Sequence, residues 1–212
     1  MSLLLIQQSY QAKLSLFLEK AEAGGWINDC LAKVEFAQQL ERAWGCSDFA
    51  ADQAIGDSQG FRQLVESGDL ERTYSQTTLL ESLQQKISVI AAEDEKGLGI
   101  QLRIFRRREM QRIIWRDLNR LADLTETTRD VTLLAEACIN VALDYLHPMV
   151  AKDLGNPLDN DGNEQKLLVI AMGKMGGGEL NLSSDIDLIF AYPEAGETEG
   201  AKRSVSNQQF FE

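Results

Sequence analysis

KLLVIAMGKMGGGELNLSSDIDLIFAYP, residues 166–193, decides how this chain is read. KLLVIAMGK (166–174) is a largely apolar run of strand length, rich in Leu, Val and Ile, and reads as a buried strand. A glycine-rich turn follows, and DIDLIFAYP (185–193) reads as a second strand. Residues two apart on a strand share a face. Asp185 and Asp187 are therefore expected to aim two carboxylates at one spot, with Ile186 and Leu188 turned into the core. Two close carboxylates resist joint ionisation, and a divalent cation removes that penalty. Hard oxygen ligands with open coordination positions suit Mg2+ or Mn2+ bound to a nucleotide phosphate. The turn fits the same chemistry. Gly173, Gly176, Gly177 and Gly178 permit backbone geometries closed to other residues, and let main-chain N–H groups come close to a phosphate. Ser183 and Ser184 can donate hydroxyl hydrogen bonds to phosphate oxygens, and Lys174 can neutralise phosphate charge.

Each piece alone is weak. An Asp-x-Asp at a strand start is commonly a solvated turn, and a glycine triplet is commonly a flexible loop. GKMGGG lacks the spacing of a P-loop and of a dinucleotide fingerprint. The weight lies in the combination of strand, glycine turn, Ser-Ser and aspartate pair.

Upstream, LGNPLDNDGNEQ (154–165) is rich in Gly, Asn, Asp and Pro and reads as a loop, so a domain boundary is expected there. Residues 1–153 then form a helical region and residues 154–212 the start of an incomplete α+β domain. Before the boundary the chain reads as helix after helix. Residues 3–22 place Leu5, Ile6, Leu14, Phe17 and Leu18 at helical spacing, with a stop at Gly24-Gly25. Asn28 is expected to cap a helix burying Leu31, Val34, Phe36 and Leu40. Ser47 and Asp57 read as caps of short helices at 48–55 and 58–66. Ser75 or Thr77 opens another at about 77–91, with Leu79, Leu80, Leu83, Ile87 and Ile90 inward. The strongest helical pattern is 98–122, where Leu102, Phe105, Met110, Ile113, Ile114, Leu118 and Leu121 recur mostly at three- and four-residue steps. Between them run Arg103, Arg106, Arg107, Arg108, Arg112, Arg116 and Arg120. These arginines read either as a solvated face paired with Glu109, Asp117 and nearby acids, or as a surface for phosphate or a partner. A last helix at 127–147 is expected to end at Pro148. NQQFFE (207–212) opens one more.

Composition narrows the function. Of 212 residues, 44% are apolar and 25% charged, which fits a globular protein. No apolar run approaches the ~18 residues of a membrane span, and MSLLLIQQSYQAKLSLFLEK lacks a basic front and a cleavage site. Three scattered cysteines and a single histidine, His147, give no zinc site and no Ser-His-Asp triad. They fit idle thiols in a reducing cytoplasm. A net charge of −12 is a poor start for nucleic-acid binding, and favours a protein partner or a small nucleotide held through metal.

Gly173, eleven intervening residues, then Asp185-Ile-Asp187 resembles the signature of the DNA polymerase beta-like nucleotidyltransferase superfamily. AMGKMGGGELNLSSDIDLIFAYPE (171–194) is similar to the glutamine synthetase adenylyltransferase/adenylyl-removing enzyme family. LRIFRRREMQRIIW (102–115) resembles the long helix that precedes this motif, and SDFAADQAI (47–55) matches more weakly. The family carries two nucleotidyltransferase domains in tandem, and the GGGELN form near the N-terminus resembles the first, deadenylylating one. The resemblance implies a truncated polymerase beta-like fold under a helical region, and phosphorolysis of AMP from a tyrosine of glutamine synthetase, giving ADP. It also implies regulation by PII signal proteins and glutamine. Asp185 and Asp187 match the metal-binding aspartates; Gly173, Gly177 and Ser184 match the phosphate side. The superfamily needs a third carboxylate on a later strand, and none is assignable here, so the fragment is expected to be inactive. The alternative is a helical module that docks glutamine synthetase or a PII regulator, with an incidental nucleotidyl site.

Overall fold

The computed structural model describes residues 3–20 and 25–212. The described residues are mostly helical, with four short strands, in two compact units that are each discontinuous in sequence. The first comprises Met1–Ser75 with Ile104–Val131, the second Gln76–Arg103 with Thr132–Glu212.

The first unit holds α1 (Leu3–Lys20), α2 (Trp26–Leu31), α3 (Val34–Cys46), α4 (Asp48–Gly56) and α5 (Ser58–Glu66), with residues 104–118 of α7 (Glu95–Leu118) and the start of α8 (Leu124–Leu154). Ser47 caps α4 by accepting from Ala50 N–H, and Asp57 caps α5 by accepting from Gly60 N–H, as their side-chain chemistry predicts. Asn28 lies inside α2 instead of capping a helix, and Val34, expected inward, is exposed. The expected stop at Gly24 lies outside the described residues. Phe17, Trp44 and Phe61 form an aromatic cluster with centroids 5.2–6.1 Å apart, joined by buried Ile27, Leu40 and Leu64.

The arginine pattern resolves against a purely solvated face. From Glu109 to Arg116 every residue of α7 is buried. Arg108, Arg112 and Arg116, four residues apart, lie on one side of the helix. Arg112, fully buried, reaches Asp130 at 3.0 Å and the Arg72 carbonyl at 2.7 Å, and lies 3.4 Å over the Tyr74 ring centroid. Arg116 bonds Glu126 at 2.8 Å and the carbonyls of Leu70 and Leu121. Arg108 bridges Glu109 and Asp69. Burial alone would lift the Asp69 carboxyl, but hydrogen bonds from Arg108 and Ser67 and the Arg108 charge outweigh it and hold it below the usual carboxylate range. For Glu109 burial wins over the charges of Arg108 and Arg112, and its carboxyl is raised; its Oε2 has no partner. Arg103, Arg106 and Arg107 are exposed.

The second unit holds α6 (Thr78–Ile87), residues 95–103 of α7, α8 from Thr132, and everything after it. Leu79, Leu83 and Ile87 are buried as expected, whereas Leu80 and Ile90, also expected inward, are half-buried. Pro148, expected to end the last long helix, lies inside α8, which continues to Leu154. A proline removes one helical donor and crowds the preceding turn, and the turn beyond it is held from outside. Thr198 Oγ1 donates to the Leu154 carbonyl, and Gly155 N–H donates to Ala151 O at 2.8 Å. Gly155 closes the helix at φ +83°, where a Cβ would lie 2.5 Å from Glu199 O.

Two small antiparallel sheets follow. β1 (Asn156–Pro157) pairs with β4 (Thr198–Glu199), and β2 (Leu168–Ala171) pairs with β3 (Leu188–Ala191) in the register Leu168↔Ala191 to Ala171↔Leu188. β1 thus lies in the stretch expected to be loop. A single helical turn, α9 (Gly173–Gly176), occupies the expected glycine turn. α10 (Asn207–Phe211) starts at Ser206 with a capping box to Gln209. Its Asn207, fully buried, donates to the Leu158 and Glu194 carbonyls. No helix among the described residues is long and apolar enough to cross a membrane.

Replacing Arg112 with Met leaves buried Asp130 with Arg129 as its remaining arginine partner, so R112M should lower unfolding stability by about 1–3 kcal/mol in urea titration, and R112M/D130M should recover part of the loss. The depressed Asp69 carboxyl contributes stability that is full above its unfolded-state pKa and lost as pH falls through the folded value. D69N should therefore cost about 1–3 kcal/mol near neutrality, and its melting-temperature deficit should close on acidification.

Candidate functional site

The polar residues singled out in the sequence cluster along one segment, from the end of β2 to the start of β3. The regular ladder begins at Leu188, so Asp185 and Asp187 stand just before β3 and not inside it. Pairing continues one step past the strand, with Met172 N–H donating to the Asp187 carbonyl at 2.9 Å. Asp187 thus faces Met172 and shares a sheet face with Ile170 and Ile189, which pair directly. That face is open: Leu168, Ile170, Met172 and Ile189 are each 45–49% exposed, and Phe190 on the other face is 60% exposed. The expectation of buried strands is therefore corrected. Ile186, expected in the core, is 42% exposed, and Leu188 is half-buried. Two strands alone leave each sheet face to be covered by something else, and nothing in the second unit covers this one fully.

Asp185 and Asp187 are both exposed. Neither carboxylate has a hydrogen-bond or ion-pair partner among the described residues, while Asp69, Glu126 and Asp130 in the first unit all hold arginine. Among the described residues no group of three His, Cys, Asp or Glu is arranged around a single cation position. The pair offers two hard oxygen ligands, a donor set that suits Mg2+ or Mn2+ with remaining positions taken by water or phosphate.

The glycines divide by role. Gly173 and Gly178 take φ +55° and +72°, which favours glycine. A Cβ on Gly176 would lie 2.4 Å from Ala171 O, so that position is pressed against β2. Gly177 has neither constraint: its φ is −83°, and a Cβ there would meet only ordinary contacts at 3.7 and 3.8 Å. Its N–H donates to Gly173 O at 3.1 Å, so Gly177 offers a missing side chain and not a free donor. Glu179 N–H closes the turn on Lys174 O at 2.7 Å, and the Lys174 side chain is exposed.

The serines are organised by a residue the sequence reading did not single out. Asn181 Oδ1 accepts from Ser184 Oγ at 2.7 Å, from Ser183 N–H at 3.2 Å and from Ser183 Oγ at 3.4 Å. The Ser184 hydroxyl proton is thus committed to Asn181, and its oxygen remains an acceptor. An Asn two residues before a Ser pair is the sequence signal of such an Asx-type turn. Leu180 N–H donates to Thr132 Oγ1 on α8 at 3.2 Å; that contact has no local sequence signal. A separate cavity of about 470 Å³ beside His147 is lined by Asn140, Asp144, Glu164 and Lys166, and by neither aspartate.

Comparison with known proteins places this segment in a family. The family described as glutamate-ammonia ligase adenylyltransferase matches residues 37–212. A protein of Pseudomonas aeruginosa named bifunctional glutamine synthetase adenylyltransferase/adenylyl-removing enzyme is 49% identical over 178 residues, covering 84% of this chain and 18% of that protein. Proteins of the same name from Nitrosococcus oceani and Pseudomonas syringae pv. tomato are 43% and 47% identical, covering 98% and 81% of this chain. The chain spans about a fifth of the length of these relatives. Since the matched span takes in the buried arginine helix, the glycine turn and the aspartate pair together, the chain belongs to the glutamate-ammonia ligase adenylyltransferase family.

Proposed function

We propose that this chain supplies the metal-binding part of a nucleotidyltransferase centre that deadenylylates glutamine synthetase. The observation that carries the reading is the exposed, unpartnered Asp185/Asp187 pair beside the glycine turn, within the span matched by the family. Residues 154–212 then form the beginning of a polymerase beta-like domain, and residues 1–153 its helical lead-in. The GGGELN form of the turn (176–181) favours the adenylyl-removing half of the relatives' two named activities.

In this reading Asp185 and Asp187 hold Mg2+ or Mn2+. Bound there, the cation would draw charge from phosphate oxygens and orient them for in-line displacement. Gly177 supports this reading because its lack of a side chain is not required by the fold, leaving room for a phosphate to approach. Gly173 sets the bend of the turn, Lys174 adds positive charge beside it, and the Ser184 oxygen can accept a hydrogen bond from a protonated phosphate or a metal-bound water. Inorganic phosphate attacks the phosphorus of the adenylyl group on tyrosine, the P–O(tyrosine) bond breaks, and ADP and the tyrosine hydroxyl are released. Glutamine synthetase is the protein substrate, ADP or ATP and phosphate the small ligands, and a PII signal protein the regulator, in the cytoplasm and without nucleic acid or membrane. With two carboxylates and no third donor among the described residues, the isolated chain should be inactive.

Three measurements test this. Titration of the chain with Mn2+, followed by electron paramagnetic resonance, should find a site that D185N and D187N each abolish. In the full-length protein that contains this sequence, D185N or D187N should slow phosphate-dependent release of ADP from adenylylated glutamine synthetase by about a thousandfold, with binding of glutamine synthetase retained. Unchanged turnover in these variants would instead favour a docking module. Full phosphorolysis by the 212-residue chain alone would refute its predicted inactivity.

A further inference from the structure

Of residues 172–187, Met175 and Leu180 alone are buried. The stretch from the glycine turn to the aspartates is otherwise exposed or, at Leu182 and Ser184, half-buried, and its two left-handed glycines, Gly173 and Gly178, permit it several courses. One buried hydrogen bond fixes its middle: Leu180 N–H donates to Thr132 Oγ1, 48 residues earlier on α8. From that point the order passes along the chain. Asn181 follows Leu180, its side chain gathers the Ser183 amide and both serine hydroxyls, and its carbonyl accepts from Ser184 N–H at 3.2 Å. Asp185 is the next residue.

We infer that Thr132 is a positioning residue for the Asp185/Asp187 pair, acting through the Leu180 amide and the Asn181 turn. This rests on the metal-centre reading above and deepens it. A carboxylate on a loose segment must give up conformational freedom when it ligates a cation. A segment already tied to a long helix gives up less, so the anchor is expressed as affinity. Thr132 is suited to this because its hydroxyl accepts from a buried peptide N–H that has no strand or helix partner of its own.

The test compares wild-type chain with T132V, which keeps the shape and loses the acceptor, T132S, which keeps the acceptor and loses the methyl, and N181A, an exposed position further along the same path. Three quantities are read: hydrogen exchange of the Leu180 amide, backbone NMR order parameters over residues 181–187, and Mn2+ affinity. T132V should speed Leu180 exchange by about tenfold, lower the order parameters of 181–187, leave Ile170 and Ile189 in the β2–β3 pair unchanged, and weaken Mn2+ binding by roughly tenfold. T132S should match wild type in all three. N181A should loosen 183–187 and weaken Mn2+ binding while Leu180 exchange stays slow. T132S behaving like T132V would assign the effect to methyl packing and overturn the proposal. So would T132V loosening the segment with Mn2+ affinity intact. If wild type takes up no Mn2+, the metal-centre reading fails separately, and the order parameters of T132V against T132S decide whether Thr132 governs the segment.

Discussion

Arg112 has no contact with solvent, and the first unit is arranged around that fact. A guanidinium taken out of water loses several kcal/mol of hydration unless its donors are met. Here they are met by Asp130 on α8, by the Arg72 carbonyl and by the face of Tyr74. Arg108 and Arg116 repeat the pattern toward Asp69 and Ser67 on one side and Leu70, Thr73 and Glu126 on the other. The irregular segment 67–75 therefore gets its shape from three arginines spaced one helical turn apart. Its carbonyls have no strand or helix to pair with, and the guanidinium forks supply the donors. Satisfaction is incomplete: Glu109 Oε2, Gln111 Oε1, Arg112 Nε and Trp115 Nε1 are buried without partners. Such a network fixes which surfaces meet more than it adds to stability.

The second unit works by a different economy. β2 and β3 share four residue pairs and leave apolar side chains open on both faces, too little burial to hold a sheet alone. Single polar contacts hold its irregular parts. Thr198 closes the end of α8, Asn207 ties α10 to the β1 and β3 connections, and Thr132 fixes the stretch before the aspartates. Each joins a buried side chain to a peptide group that would otherwise be unpaired. The segment that carries the candidate site is thus exposed at its chemical end and anchored at its buried end.

What was legible in the sequence follows from which interactions are local. Ser47 and Asp57 act on amides three residues away, so their caps could be read directly. The helical spacing of Leu79, Leu83 and Ile87, and of Phe105, Ile113 and Ile114, also gave the inward faces. The Arg108, Arg112 and Arg116 spacing was visible too, but charge alone suggested a solvated surface; burial depended on Asp69 and Asp130, distant in sequence. Pro148 misled because its helix is held beyond the proline by Thr198, some fifty residues on. At the site, residue types and spacing were readable, and so was the family. The departure of Asp185 and Asp187 from the regular strand was not, nor was the Thr132 anchor, because both depend on long-range pairing.

The buried arginine network and the candidate site treat acidic side chains in opposite ways. Within the first, carboxylates drawn out of water are neutralised by arginines of the same chain. At the glycine turn, Asp185 and Asp187 stand two residues apart in water with no cationic side chain assigned to them. In a chain of net charge −12, an approaching phosphate meets repulsion on two scales, from the whole surface and from this pair. In the proposed centre a divalent cation would cancel the pair's two negative charges and meet the phosphate at contact distance, where salt screening is weakest. A guanidinium held by this pair would occupy the space that the proposed metal and its phosphate need. The proposed centre depends on the aspartates remaining unsatisfied by the protein, and on the anchored segment behind them keeping them so.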